Sequence, residues 1–392
     1  MNKLPGAAYA ASLQLGLTQS VLLASLPLLV AHTGIPFGQW SLFLGATLLL
    51  TLVATPWWGR HIDRHGGWQS LKKTAVGTLA CNLLLAIALF LPQPPLAAAL
   101  ILLSRIGYAL FACGQYPSSQ TLLLQGLGSN SPQRSMARLT AANHAGRLLG
   151  PGLVAASAAL WYPLPIAVLL CAGAALALYG TGKHSPIPAG NSPTPSAAKR
   201  TDSAVFRRCW PALCCAFLTT AVASTLQFTL SYSLAEHFSL SPQQAAQHLS
   251  TVLLIATAVG LLGALLIVPA VSAAPRRQFA VLCLSLLSGA VMLLQTFSFA
   301  LLLLATSLLS LGLAVAAPAY ASWAHARHAD RPGAMTSSLA SSHTLGHAAG
   351  IVFAGAAGIE WLGISYVGIL LAVVTLCVLM SGVLLHRARA LS

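Results

Sequence analysis

The chain has 392 residues, 57% of them hydrophobic and only 6% charged, with a mean hydropathy of +0.78. That composition excludes a water-soluble globular fold, which needs far more charge at its surface. The formal net charge of +15 and the pI of about 10.0 would suggest nucleic acid in a soluble protein, so the placement of the basic residues decides what they mean.

Apolar runs long enough to cross hydrocarbon as helices recur at 7–32, 38–58, 74–92, 96–119, 136–160, 163–180, 210–235, 246–272, 278–297, 299–324, 335–358 and 363–385. They predict an all-α membrane protein of twelve transmembrane helices. The first run is too long for the apolar core of a signal peptide and lacks a convincing cleavage site, so it reads as a span. Every lysine and arginine except Arg105 and Arg147 then falls on one side of the membrane. This asymmetry predicts cytoplasmic termini and a cytoplasmic central loop in a multi-pass protein of the cell's inner membrane. It also removes nucleic acid as a partner.

Span 1 carries Gln14 and Gln19. Between spans 2 and 3 lies a charged island at 59–73, GRHIDRHGGWQSLKK. Gly59 and Gly66 allow close approach and a turn, Asp63 can accept hydrogen bonds at a helix N-terminus, and Arg64, Lys72 and Lys73 can stay in water at the headgroups. Span 3 has one clear polar residue, Asn82. Span 4 holds Arg105, Tyr108, Gln115 and Tyr116, with Arg105 about 15 Å along the helix from the 92–95 turn and so near the bilayer centre. A charge at that depth costs about 2.5–3.5 kcal/mol on insertion scales and must face protein or water.

Span 5 reads HAGRLLGPGLVA, in which Gly146, Gly150, Pro151 and Gly152 have the spacing of close helix packing and a bend, with His144 and Arg147 among them. Span 6 is nearly pure Ala, Leu, Val and Gly. The Pro-, Ser- and Lys/Arg-rich stretch that follows is a linker by composition, giving an N-terminal bundle 1–181, a linker 182–208 and a C-terminal bundle 209–392. A shift of 200 residues pairs Pro132, Leu139, Gly146 and Gly150 with Pro332, Leu339, Gly346 and Gly350, an internal repeat that agrees with the division.

Span 7 carries Thr225, Gln227, Ser231 and Tyr232. On span 11, His343 and His347 share a helix face with Thr344 between them. A metal would need a third ligand, and no carboxylate lies in any span, so no metal and no other cofactor is expected. The histidines read either as groups that titrate near neutral pH or as hydrogen-bonding residues of the packing. The eight cysteines have no metal-type spacing and read as small packing residues. No nucleophile–base pair marks an enzyme.

The island at 59–73 closely resembles the loop between helices 2 and 3 of the major facilitator superfamily of secondary transporters. SRIGYALFACGQYP in span 4 resembles the arginine stretch of helix 4 in its exporter branch, and the glycines and proline of span 5 look like its antiporter motif. The resemblance implies two pseudo-symmetric six-helix bundles, alternating access driven by a proton gradient, and kinship with drug–proton antiporters. It implies a gating role for Gly59, Asp63, Arg64 and Gly66, which would stabilise an outward-open state. For Arg105 it implies a role in substrate or proton coupling, beside the plain reading of a structural arginine. Two features depart from the family: Arg147 between the antiporter glycines, and Gly67 where the loop often has arginine.

The acidic residues Asp63, Asp202, Asp330, Glu236 and Glu360 all lie outside the spans or near their outer ends. Exporters of lipophilic cations generally need a buried carboxylate; a cavity lined by arginine and histidine favours an anion. The expected function is therefore proton-coupled export of a small organic anion, such as a polycarboxylate metabolite or a carboxylate siderophore, by a monomer among membrane lipids. Arg105, Arg147, Gln14, Tyr108, Gln115, Gln227 and Tyr232 would bind it, and His144, His343 and His347 would exchange protons. The alternatives are a multidrug exporter of neutral or zwitterionic compounds and a lipid flippase.

Overall fold

The computed structural model describes residues 4–126, 132–160, 203–271, 274–293, 298–327, 332–358 and 366–389, together with Ala167, Leu170 and Cys171. The expected sixth span and most of the linker lie outside these residues, as do Asp202, Asp330 and Glu360. The described residues are helical: α1 (Leu4–Ala24), α2 (Leu26–Thr33), α3 (Phe37–Leu89), α4 (Pro94–Gly126), α5 (Pro132–Leu160), α6 (Ser203–His237), α7 (Pro242–Leu262), a π turn (Gly263–Ile267), α8 (Val268–Val271), α9 (Pro275–Leu293), α10 (Phe299–Arg327), α11 (Pro332–Gly358) and α12 (Tyr366–Arg389). Among them, six helices are long and apolar enough to cross a membrane, or seven if α1 and α2 form one span. The chain is thus an all-α, multi-spanning membrane protein.

Three breaks refine the expected spans. The first run does not form one straight helix: it bends by 58° between α1 and α2. Pro27 near the start of α2 cannot donate to the preceding turn, and Ser25 takes φ −88° and ψ 1° at the corner. Its hydroxyl donates to Leu22 O at 3.1 Å. Within α3 the helical path breaks at Gly66, with φ 79° and ψ 162°, a conformation open to glycine. The helix that starts at Pro242 widens into the π turn before Pro269, where a missing N–H interrupts the ladder.

The chain folds into two compact units. One comprises Met1–Pro36, Ala46–Pro193 and Ser231–Thr251, the other Phe37–Gly45, Thr194–Leu230 and Val252–Ser392. In the first, α1 lies along α5 with backbones nearly touching. A Cβ built on Gly146 would sit 2.1 Å from Leu13 O, and one on Gly150 2.0 Å from Ser20 Oγ. Side chains fasten the same seam: Ser12 Oγ donates to Leu139 O at 2.9 Å, Asn143 Nδ2 to Ser12 O at 3.1 Å, and Ser20 Oγ to Gly146 O at 3.2 Å.

The second unit repeats the device between α6 and α11. A Cβ on Gly346 would lie 2.1 Å from Thr220 Oγ1, and one on Gly350 2.5 Å from Ala221 O, while Thr225 Oγ1 donates to Gly350 O at 3.2 Å. The glycines paired by the 200-residue repeat therefore perform the same packing in the two units. The cysteines are free thiols, buried or half-buried.

Candidate functional site

Arg105 sits on α4 with 3% of its surface exposed. Its guanidinium lies 4.5 Å from the Tyr108 ring centroid, and Nη2 donates to Ser104 Oγ at 3.3 Å. Ser104 in turn donates to Cys81 O at 2.8 Å, which ties the arginine's neighbour to the second arm of α3. Across the seam with α1, Gln115 Nε2 donates to Gln14 Oε1 at 2.6 Å and to Ala11 O at 3.3 Å, and Gln14 Nε2 donates to Thr18 Oγ1 at 3.4 Å. Gln14, Asn82 and Gln115 are fully buried. Arg105 Nε, Tyr108 OH, Gln115 Oε1 and both amide atoms of Asn82 are buried without a protein hydrogen-bond partner. Native interiors satisfy nearly all such groups, so this concentration marks a place where bonding capacity is held open.

A second polar group of the same unit is exposed. Arg147, which the sequence suggested as a second buried cation, is exposed instead and donates from Nη2 to Gln19 Oε1 at 3.0 Å. Gly146 and Gly150 take the side of α5 that meets α1, and Arg147 borders that seam, reaching across it to α1. The tight packing of these glycines thus coexists with an arginine between them. His144 is exposed on α5, one turn beyond Thr140, whose hydroxyl meets Tyr116 OH at 3.1 Å.

The second unit places its two histidines in different bonds. His343 Nε2 lies 3.2 Å from Tyr320 OH, with ring centroids 5.8 Å apart, and His347 Nδ1 pairs with Ser224 Oγ. Arg147 and His347 occupy matched positions of the repeat, and each reaches a polar residue on the helix packed against its own. Gln227 lines a small cavity of about 50 Å³ with Thr257, Thr306 and Ser310. Tyr232 is half-buried on α6, in the segment that clusters with the first unit. Among the described residues no three His, Cys, Asp or Glu side chains come together as a metal site would require.

At the charged island, Gly66 supplies the turn, and the space beside Gly59 is open. Gly67 makes the close approach: a Cβ there would lie 2.8 Å from Leu122 N and 2.9 Å from Ser118 O on α4. An arginine has no room at this position, which accounts for the departure from the family pattern. Asp63 and Arg64 are exposed. Lys73 Nζ lies 3.0 Å from His61 Nε2, His61 Nδ1 lies 2.9 Å from Ser70 Oγ, and Ser70 donates to Gly66 O at 2.9 Å. Partial burial, then the Lys73 ammonium, then His65 hold His61 below the ordinary histidine value.

Sequence reasoning left Asn82, Ser104, Tyr320 and Gly67 without a role. Asn82 was the sole clear polar residue of its span, a signal in itself; Tyr320, in a run of Ala and Leu, became visible only through its neighbour His343.

Comparison with known proteins bears on the fold. No family model matches the chain, and no curated protein sequence does. Solved structures match over nearly the full length. A D-xylose–proton symporter has a TM-score of 0.75 at 14% identity, covering 97% of this chain and 96% of its own. A bacterial homologue of the human lysosomal transporter Spinster has 0.71 at 13%, covering 98% and 96%. The human organic anion transporter MFSD10 (TETRAN) has 0.62 at 19%, covering 97% and 99%. The chain shares the overall fold of these structures.

Proposed function

We propose that the chain is a secondary active transporter working by alternating access, and that it exports a small organic anion, a polycarboxylate metabolite or a carboxylate siderophore, in exchange for protons. This reading takes the twelve apolar runs as two six-helix halves, 1–181 and 209–392, in the inner membrane, and places the protein with the drug–proton antiporters of the fold. The matched glycine seams of α1 with α5 and of α6 with α11 support the two-halves reading.

The observation that carries the substrate class is Arg105. It is a buried guanidinium that bonds a hydroxyl and lies over a phenol ring, set in a unit whose polar core holds open hydrogen-bonding atoms. A cation removed from water is stabilised best by an anion that brings charge and acceptor oxygens together. Tyr108, Gln14 and Gln115 would orient the anion, with Arg147, Gln227 and Tyr232 along its path. His144, His343 and His347 would carry protons, His343 through its contact with Tyr320. Gly59, Asp63, Arg64 and Gly66 would set the gate at the charged hairpin.

Purified protein in proteoliposomes tests the reading by substrate-induced proton movement. A citrate-like polycarboxylate should move protons, whereas a cationic dye and a neutral antibiotic should not. Arg105→Ala should lose about 2–5 kcal/mol of binding, a fall of roughly 30-fold or more, while remaining monodisperse. Proton movement with the polycarboxylate that survives in Arg105→Ala would sink the anion site.

One observation favours a second reading. Arg105 already lies over Tyr108 and bonds Ser104, as a scaffold arginine would. A response to neutral or zwitterionic drugs alone, unchanged in Arg147→Ala, would put a multidrug exporter first.

A further inference from the structure

The first arm of α3 carries a stripe of which the transport reading uses only Arg64. Leu49, Val53 and Trp57 follow one another at four-residue steps with 45%, 75% and 53% of their surfaces exposed. The same steps continue to His61 and His65, with Arg60 and Arg64 beside them. Each four-residue step turns about 40° around the helix, so Leu49, Val53, Trp57, Arg60 and Arg64 fall on one face about 80° wide, with His61 and His65 progressively beyond its edge. The stripe changes from aliphatic to aromatic to cationic over about 22 Å at the helical rise, which is half the thickness of a bilayer with its headgroups.

At the cationic end is a cavity of about 350 Å³ lined by Trp57, Arg60, His61, Arg64 and His65. Its wall is a stack of rings. The centroids of Trp57 and His61 are 5.6 Å apart and those of His61 and His65 4.2 Å apart. His61 is engaged by Lys73 and Ser70 and stays part of the wall, which leaves the exposed guanidiniums of Arg60 and Arg64 as the charge that faces a ligand. The one carboxylate of the hairpin, Asp63, does not line the cavity.

We propose that this groove is a binding site for an anionic phospholipid. Arg60 and Arg64 hold the phosphate by paired N–H donors, the indole of Trp57 lies at the glycerol level, and an acyl chain runs along Val53 and Leu49. The aliphatic part of the stripe is what selects a lipid over a free phosphate, which would use only the cationic end. The site is independent of the transported cargo.

Bromine on an acyl chain quenches tryptophan fluorescence at short range and so reads out contact with Trp57. The full chain is reconstituted in phosphatidylcholine vesicles holding a minor fraction of brominated phosphatidylglycerol, or the same fraction of brominated phosphatidylcholine. Trp57→Phe isolates this residue's share among the eight tryptophans. Phosphatidylglycerol should quench that share at lower fractions, by roughly five-fold for each guanidinium engaged. Arg60→Gln combined with Arg64→Gln should remove most of the preference.

Equal quenching by the two lipids overturns the proposal, as does a preference that survives in the double variant. Loss of the preference on adding inorganic phosphate assigns the cavity to a free anion and also overturns it. Should the double variant fail to fold, the difference between the two lipids in the wild type, referred to Trp57→Phe, decides the matter alone.

Discussion

The ammonium of Lys73 can donate to Nε2 of His61 only while that nitrogen is unprotonated, and the proton on Nδ1 is then directed at Ser70, whose own hydroxyl is directed at Gly66 O. Three side chains thus join the two arms of the hairpin through one neutral tautomer. Protonation of His61 would turn the Lys73 contact into a repulsion, which is why its value is held down in the folded hairpin. An opened hairpin binds the proton more readily in the window between that lowered value and about 6.5. The stability contributed by the contact is therefore complete above the window and is lost as pH falls through it. Protection from hydrogen exchange across 59–73, each rate being referred to the intrinsic rate at its pH, should be weaker at pH ~5 than at pH ~7.5. In His61→Gln the protection at the two pH values should converge, and an unchanged pH dependence of protection in that variant would remove His61 from the account. The sequence made the basic and acidic character of this loop legible. It did not show that His61 joins Lys73, because twelve residues and a glycine turn separate them.

At the scale of the helix, three glycines of one loop differ in what their neighbours demand. Gly66 needs its positive φ, Gly67 needs the absence of a side chain against α4, and Gly59 has open space around it. Gly67→Ala should lower thermal stability by about 1–3 kcal/mol, because the obstructing atoms are backbone. Gly59→Ala should raise it by ~0.5–1 kcal/mol, since a helical glycine gains from a methyl group that meets nothing. Thermal unfolding of the purified variants checks both, and equal effects would refute the distinction. The loop and its glycines were readable in the sequence; the division of labour was not, because it depends on where 118–122 of α4 passes. The seams of α5 and α11 were more legible, since Gly146, Gly150, Gly346 and Gly350 recur at one shift and one spacing. What the spacing hid was that Arg147 keeps exposed surface while reaching across the seam to Gln19.

For the molecule as a whole, hydropathy alone revealed an all-helical membrane protein, because lipid forces each span to satisfy its own backbone. The bend at Ser25 and the π turn escaped that reading, since an apolar run looks the same whether or not the helix inside it is broken. The distribution of lysine and arginine makes a further prediction. A fluorescent protein fused after Ser392 should fluoresce, and alkaline phosphatase fused after Gln93 should be active outside the membrane. The reverse pattern would invert the proposed orientation.

The depth of Arg105 gives the proposed site an electrical address. The residue lies about 16 Å along α4 from Pro94, close to half the hydrocarbon thickness. A charge carried across the whole membrane does work of about 2.3 kcal/mol per 100 mV, so a monovalent anion reaching Arg105 feels roughly half of that. With the interior negative, the voltage draws such an anion in from the cytoplasmic side and opposes its entry from the other. A fixed cation at mid-depth thereby makes the two entrances to one site unequal before any difference in their shape is counted.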